Sequence, residues 1–323
     1  MILILSNPVF QHSMDEVIDW LNHFEIKFQR INGFNIQEVD LIKLIISNEG
    51  KTCDKIIIDG KTLVPAEIKT VWYFRWYHGS NFGVPNLSSK FTKRIRHQLV
   101  KEYQVISEYF FQLFSEAKWI VNSNVSSLNK LVVLHKAKNI GIKIPESIVT
   151  NNKHELVEFR KKHKSLISKS CFEMFKVEYD EHIYSSYTRE LTDNDIKCLQ
   201  NKFFPTLIQK KIRKEIEVRT VVMDQKIFSM AIFSQQNVKT QEDFRNYDYT
   251  NPNRCVPFNL PKKLEVKLLE LFRCVDLNFG SVDFLVDKLG EFYFLEINPI
   301  GQYGMTSKPC NYYLEKKLAA LLG

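Results

Sequence analysis

Asp283, Glu296 and Asn298 have the residue types and spacing of a hard-cation site. They lie in the run Gly280-Ser-Val-Asp283-Phe-Leu-Val-Asp-Lys-Leu-Gly290-Glu-Phe-Tyr-Phe-Leu-Glu296-Ile-Asn298-Pro299, which reads as two apolar strands joined by a tight turn at Asp287–Gly290. If Val286 pairs with Glu291, Asp283 opposes Phe294 and Glu296 is its diagonal neighbour, roughly 7–8 Å away on the same face. Asn298 follows on that face because strand side chains repeat every two residues. Two carboxylates and an amide at such spacing suit Mg²⁺, which takes oxygen ligands and keeps substrate phosphates in its shell. The plainer reading is a hairpin whose acids face water. Against it, Glu296 and Asn298 interrupt an otherwise apolar strand that Pro299 ends.

Three stretches must position this face. Residues 1–115 read as an α/β unit: strand Ile2–Leu5, helix Met14–His23 with Val17, Ile18 and Leu21 on its apolar side, strands Phe24–Arg30, Lys55–Asp59 and Ile68–Phe74, and a long helix Lys90–Phe114. Residues 116–204 hold strand Trp119–Val121, helix Leu131–Ile140 stopped by Gly141, strand Ser147–Thr150, helix Glu155–His163 capped by Asn152, and strand Ser165–Ser170. Residues 205–323 hold strands Thr206–Ile212, Glu217–Met223 and Lys226–Ser234, helix Lys263–Leu277, the hairpin, and a closing helix Tyr312–Leu322.

The bulk properties bound the function without choosing it. The 323 residues are 44% hydrophobic and 25% charged, as in a soluble globular protein with two or three lobes. The excess of 45 basic over 37 acidic residues favours anionic ligands, whether nucleotide, acidic peptide or nucleic acid. The six cysteines are scattered with no C-x-x-C pair, so reduced thiols in a cytoplasmic protein are expected. No run approaches the ~18 apolar residues of a membrane span, and Met1–Leu5 is too short for a signal peptide. No Walker A loop, G-x-G-x-x-G, H-E-x-x-H or G-x-S-x-G occurs. The cluster Trp72-Tyr73-Phe74-Arg75-Trp76 invites base stacking, but a single cluster without a repeat reads better as a core strand end.

The Asp…Glu-x-Asn-Pro hairpin resembles the metal-binding signature of the ATP-grasp carboxylate ligases. Its extension Glu296-Ile-Asn298-Pro-Ile-Gly301-Gln302-Tyr303 resembles the subset that cross-links ribosomal precursor peptides, the graspetide or microviridin-type maturases, including the grasp-with-spasm group. The segment Ser127-Leu-Asn-Lys130 through Ala137, Gly141 and Pro145 is similar to that family's central region, and Gln209-Lys210-Lys211-Ile212-x-Lys214-Glu-Ile-Glu217-Val-Arg219 to its hinge. The resemblance implies an ATP-grasp fold: an N-terminal α/β pre-ATP-grasp domain, a central lid and a C-terminal ATP-binding domain. It implies that Lys130 and Lys169 reach ATP phosphates, that Gln209 and the backbone of Lys210, Lys211 and Ile212 hold adenine, and that Glu217 accepts the ribose hydroxyls. Asp283, Glu296 and Asn298 are the implied Mg²⁺ ligands, and Arg219 and Lys214 the expected catalytic cations. Glu242-Asp243-Phe244-Arg245 resembles an Asp-Trp-Arg stretch of these maturases, so Arg245, with Gln302, is expected to meet substrate. Two departures stand out: no glycine follows Lys169 where many lids carry a glycine-rich phosphate loop, and Trp72-Tyr73-Phe74-Arg75 matches a family strand end only in part.

The implied reaction needs no protein nucleophile. ATP phosphorylates an Asp or Glu side chain of the precursor peptide, and a Thr or Ser hydroxyl (ester) or Lys amine (amide) displaces phosphate, with ADP released. The expected partner is a precursor with leader and core, with no nucleic acid and no membrane; relatives tend to form homodimers. Two alternatives stand beside it: another ATP-grasp ligase of the glutamate-ligase type, or a non-catalytic nucleotide- or RNA-binding protein.

Overall fold

The computed structural model describes residues 1–7, 12–34, 41–46, 56–58, 60–76, 90–172, 176–180, 182–185, 188–237, 248 and 250–323. The chain divides into two compact units, Met1–Ser126 with Tyr313–Gly323, and Ser127–Tyr312.

The first unit contains β1 (Ile2–Leu5), α1 (His12–His23), β2 (Phe28–Ile31), β3 (Ile42–Leu44), β4 (Ile56–Ile58), β5 (Lys61–Leu63), β6 (Thr70–Tyr73), α2 (Lys90–Gln112) and β7 (Lys118–Ile120). Strands β2-β1-β6-β7 form a parallel sheet, with Ile2 facing both Phe28 and Thr70. All four residues of β1 are buried, as a central parallel strand covered on both faces requires. Helix α1 buries Met14, Val17 and Leu21, a helical stripe. The expected strand at Phe24 starts four residues later, because Glu25 turns the chain out of α1 with φ of 55°. Trp72, Tyr73, Phe74 and Trp76 are all buried, so that aromatic cluster is core.

The second unit runs through α3 (Lys130–Asn139), β8 (Ser147–Asn152), α4 (Lys153–His163), β9 (Leu166–Lys169), β10 (Lys176–Tyr179), β11 (His182–Ser185), β12 (Arg189–Glu190), α5 (Asp193–Cys198), β13 (Lys202–Lys210), β14 (Lys214–Met223), β15 (Lys226–Ile232), β16 (Cys255–Phe258), α6 (Lys262–Cys274), β17 (Phe279–Asp287), β18 (Phe292–Asn298) and α7 (Gly304–Cys310). Asn129 caps α3 by accepting from Leu131 and Val132, and Asn152 caps α4 by accepting from His154 and Glu155. One antiparallel sheet, β12-β9-β13-β8, packs a core of Leu156, Leu166, Leu191, Ile196 and Ile208 beneath α4 and α5. The other, β16-β15-β14-β17-β18, carries the conspicuous hairpin at its edge. After Lys169 the chain forms a separate two-stranded ribbon, β10-β11. The last helix, α8 (Leu314–Leu322), buries Leu314, Leu318, Ala319 and Leu322 and belongs to the first unit. Among the described residues no helix is long and apolar enough to cross a membrane.

The hairpin corrects the expected register. Lys288, Leu289 and Gly290 form a three-residue loop: Gly290, at φ 77°, donates to Asp287 O, and Asp287 N donates to Glu291 O at 3.2 Å. Val286 therefore faces Phe292, not Glu291, and Phe284 faces Phe294. A shift of register then falls between Phe284 and Asp283, where β18 carries one extra residue. Beyond it Asp283 faces Glu296 directly and Ser281 faces Asn298. The bulge takes Glu296 off the side of the buried Phe294 and sets it against Asp283.

Candidate active site

Register brings Arg219 of β14, Asp283 of β17 and Glu296 of β18 into one row across three strands. Arg219 is 2% exposed. Its Nη1 donates to both Asp283 oxygens, at 3.1 and 3.3 Å, and its Nη2 donates to Ser281 Oγ at 2.9 Å and to Gln302 Oε1 at 3.3 Å. Asn298 Nδ2 donates weakly to Asp283 Oδ2 at 3.4 Å. On Glu296, Lys130 from the start of α3 and Lys169 from the end of β9 converge on one oxygen, Oε2, at 3.0 and 3.2 Å. Lys130 also donates to the Ser170 carbonyl at 3.1 Å. Among the described residues three cations thus surround two carboxylates in a largely buried patch, a charge surplus suited to an anion.

Glu217 lies two residues before Arg219 on the same strand face and accepts from Lys214 Nζ at 2.6 Å and Ser234 Oγ at 2.7 Å. Burial pushes its carboxyl above the ordinary range, and Lys214 and Ser234 partly counter that shift. Lys214 is therefore the counter-ion of Glu217; it is not placed on the Arg219 row. At the hinge, Gln209 is buried and donates to Ser147 Oγ at 2.8 Å. The backbone N–H of Lys210 donates to Glu146 O and that of Lys211 to Ser165 O, while Lys211 Nζ pairs with Glu190. Among the described residues the Ile212 and Arg213 N–H groups make no backbone hydrogen bond, so of the expected adenine-binding backbone donors Ile212 is the one not spent on the fold. Arg245 lies outside the described residues.

The donor set fits a hard cation. Asp283 and Glu296 supply carboxylate oxygens, and Asn298, with its Nδ2 toward Asp283, turns its amide oxygen away for a ligand. Among the described residues no three of His, Cys, Asp or Glu cluster as metal ligands, so a cation here would rest on two carboxylates, an amide oxygen and oxygens supplied by a phosphate ligand. A cleft of about 880 Å³ in the same unit includes Lys210 and Ile212 but none of the row residues or lysines that meet Glu296; it runs along α3 and the β8 edge.

Sequence reasoning missed Ser281 and Ser234. Ser281 carried a signal, since it stands two residues before Asp283 on the same face. Ser234 carried none, because only the β14-β15 pairing brings it to Glu217.

No family model matches the sequence, and no curated relative is found. Solved structures match over nearly the whole chain. The macrocyclase MdnC of Microcystis aeruginosa MRC, bound with precursor peptide MdnA, is 24% identical with a TM-score of 0.82, covering 99% of this chain and 98% of its own. The RiPP-associated ATP-grasp ligase of Chryseobacterium gregarium, in complex with ADP and a leader and core peptide, is 25% identical with a TM-score of 0.83, covering 99% and 96%. The ATP-grasp ligase PsnB, complexed with minimal precursor, Mg and ADP, is 14% identical with a TM-score of 0.77, covering 99% and 96%. The chain has the ATP-grasp fold, in the form these RiPP-associated ligases share.

Proposed function

We propose that this chain is an ADP-forming ATP-grasp macrocyclase that joins Asp or Glu side chains of a ribosomal precursor peptide to Thr or Ser hydroxyls or Lys amines. The observation that carries the reading is the Arg219–Asp283–Glu296 row with Lys130 and Lys169 converging on Glu296. The carboxylates and amines of the row are held against one another in ion pairs and none is set beside a general base that would activate it, so the chemistry the row suits is transfer between bound groups, by positioning and charge stabilisation.

Each residue then has a task. Lys130 and Lys169 take phosphate oxygens in place of the Glu296 oxygen they share here, which frees Glu296 for a cation. Asp283, Glu296 and the amide oxygen of Asn298 hold Mg²⁺, which when bound neutralises charge on the phosphates. Glu217 receives the ribose hydroxyls, with Lys214 holding its carboxylate, and Ile212 N–H meets the adenine edge. Arg219 keeps its bonds to Asp283, Ser281 and Gln302 and places its positive charge near the transferring group from there. The peptide carboxylate takes the γ-phosphoryl group and ADP leaves; the hydroxyl or amine then attacks the acyl carbon, phosphate departs, and the nucleophile loses its proton. In the same reading the β12-β9-β13-β8 sheet is the lid and the β16-β15-β14-β17-β18 sheet the ATP-binding lobe, with the N-terminal domain before them. Free thiols at Cys171, Cys198, Cys255, Cys274 and Cys310 support a reducing, cytoplasmic setting.

The test is incubation with candidate acidic precursor peptides, ATP and Mg²⁺. The reading expects a loss of ~18 Da per cross-link with one ADP and one phosphate formed each time. Mild base separates esters, which hydrolyse, from amides, which persist. Gain of an amino-acid mass with ADP formed turns the assignment to a glutamate-ligase type, and AMP as product refutes both.

A further inference from the structure

Gln302 carries a chemical polarity that only its neighbours reveal. The turn that presents it is tightly fixed. Gly301 has φ 53°, its N–H donates to Asn298 O, and a Cβ there would stand 3.0 Å from the Phe279 ring. On the other side Tyr303 is fully buried and packs edge-on against Phe279. Gln302 itself is exposed between these two anchors. Its Oε1 lies 3.3 Å from Arg219 Nη2. A guanidinium only donates, so the amide oxygen must be the atom facing Arg219 and the NH₂ must face away.

The partners of Arg219 reinforce this polarity. Each Nη atom carries two hydrogens. Nη1 donates to the Asp283 carboxylate, 3.1 and 3.3 Å from its two oxygens, and the hydrogens of Nη2 go to Ser281 Oγ and Gln302 Oε1. Ser281 is fully buried on the strand that carries Asp283, so the guanidinium cannot pivot without losing that bond. Among the described residues Nε has no acceptor. The guanidinium therefore acts as a fixed brace, and the outward N–H groups of Gln302 are the donors it sets in place beside Asp283.

We propose that Gln302 is a substrate-orienting residue: its amide NH₂ hydrogen-bonds an oxygen of the peptide carboxyl group that is to be activated, and Ser281 and Arg219 act as positioning residues that fix the amide with its donors outward. The inference rests on the macrocyclase reading and assigns the class of group this position recognises, a side-chain carboxyl or its acyl oxygen. Hydrogen bonds from an NH₂ to a carboxylate are charge-assisted, and they strengthen as negative charge gathers on that oxygen.

The discriminating variant is Gln302→Glu. It keeps an oxygen for Arg219, and so preserves the brace, but it removes both donors and sets a negative charge against an anionic substrate. The expected result is a fall of about 100-fold in kcat/KM for the peptide, with ADP affinity and the thermal midpoint within error of wild type. Ser281→Ala, which deletes one oxygen in a buried site, should lower the same kcat/KM by about tenfold, again without moving ADP affinity. A Gln302→Glu protein within about threefold of wild type in peptide kcat/KM overturns the proposal. So does a variant that loses ADP affinity in parallel, because that is the signature of a merely structural role. If the wild type itself forms no ADP in response to peptide, the macrocyclase reading fails and takes this inference with it; an active wild type beside an unaffected variant sinks this inference alone.

Discussion

Replacing Glu296 by Gln should shift stability and Mg-free nucleotide binding in opposite directions. Its Oε2 is held by Lys130 at 3.0 Å and Lys169 at 3.2 Å, so the two ammonium groups lie within about 6 Å of each other. At an effective dielectric of about 20, two like charges at that distance repel by about 3 kcal/mol. The three side chains are only 10–15% exposed, so water relieves little of this once the carboxylate is gone. Lys130 keeps its bond to the Ser170 carbonyl, which places the loss below the usual range for a broken buried pair, at about 2–3 kcal/mol. In a unit of this size that corresponds to a melting midpoint lower by roughly 4–12 °C. The same substitution removes the anion that competes with phosphate for both lysines. ADP in EDTA should therefore bind Glu296→Gln about tenfold more tightly, a gain of about 1.4 kcal/mol, and restore much of the lost midpoint. Mg-dependent turnover should nonetheless be lost, since one of two carboxylate ligands is missing. Differential scanning fluorimetry and calorimetric titration, each with and without Mg²⁺, measure all three. A variant that melts like wild type, or that binds Mg-free ADP more weakly, refutes the view that Glu296 stands in for phosphate.

Lys169→Ala should weaken binding of a non-hydrolysable ATP analogue more than Lys169→Arg does, because a phosphate contact needs charge before shape; equal affinity of wild type and Lys169→Ala would return the residue to a structural ion pair. Glu217 gives a pH signature. Burial raises its folded-state pKa above the ordinary 4.5, so the stability it contributes is complete below that value and is lost as pH rises through the raised folded pKa. Denaturant midpoints should therefore fall for wild type relative to Glu217→Gln as pH climbs from about 4.5, whereas loss of the Lys214–Glu217 ion pair adds a constant offset over that range; parallel curves would contradict the assignment. Gly301→Ala puts a Cβ 3.0 Å from the Phe279 ring at a left-handed φ, and should lower peptide kcat/KM together with a midpoint loss of about 1–2 kcal/mol in stability; an unchanged midpoint would mean the turn is looser than its contacts indicate.

The sequence by itself determined the elements and the chemical alphabet of the site. Apolar β1, the stripe of α1 and the Asn caps of α3 and α4 are local features, encoded in periodicity and in side chains that bond their own backbone within a few residues. Asp283, Glu296 and Asn298 stand out in the sequence because oxygen-bearing polar side chains inside an apolar strand are out of place unless something pairs with them. The tertiary structure decided how these parts face one another. A one-residue difference in hairpin loop length and a bulge next to Asp283 together changed a diagonal pair into a directly opposed one, and no local propensity distinguishes those registers. Lys130 and Lys169, each more than a hundred residues earlier in the chain, meet on Glu296 only because α3 packs beside β18 and the Lys169 side chain at the end of β9 reaches the same oxygen. The partner of Lys214 likewise follows from burial: a carboxylate withdrawn from water at Glu217 needs a cation close by, and Lys214 is within reach. Residue types announce which charges a site will hold, but the pairing of buried charges depends on distances of a few ångströms across strands, and those exist only in the folded chain.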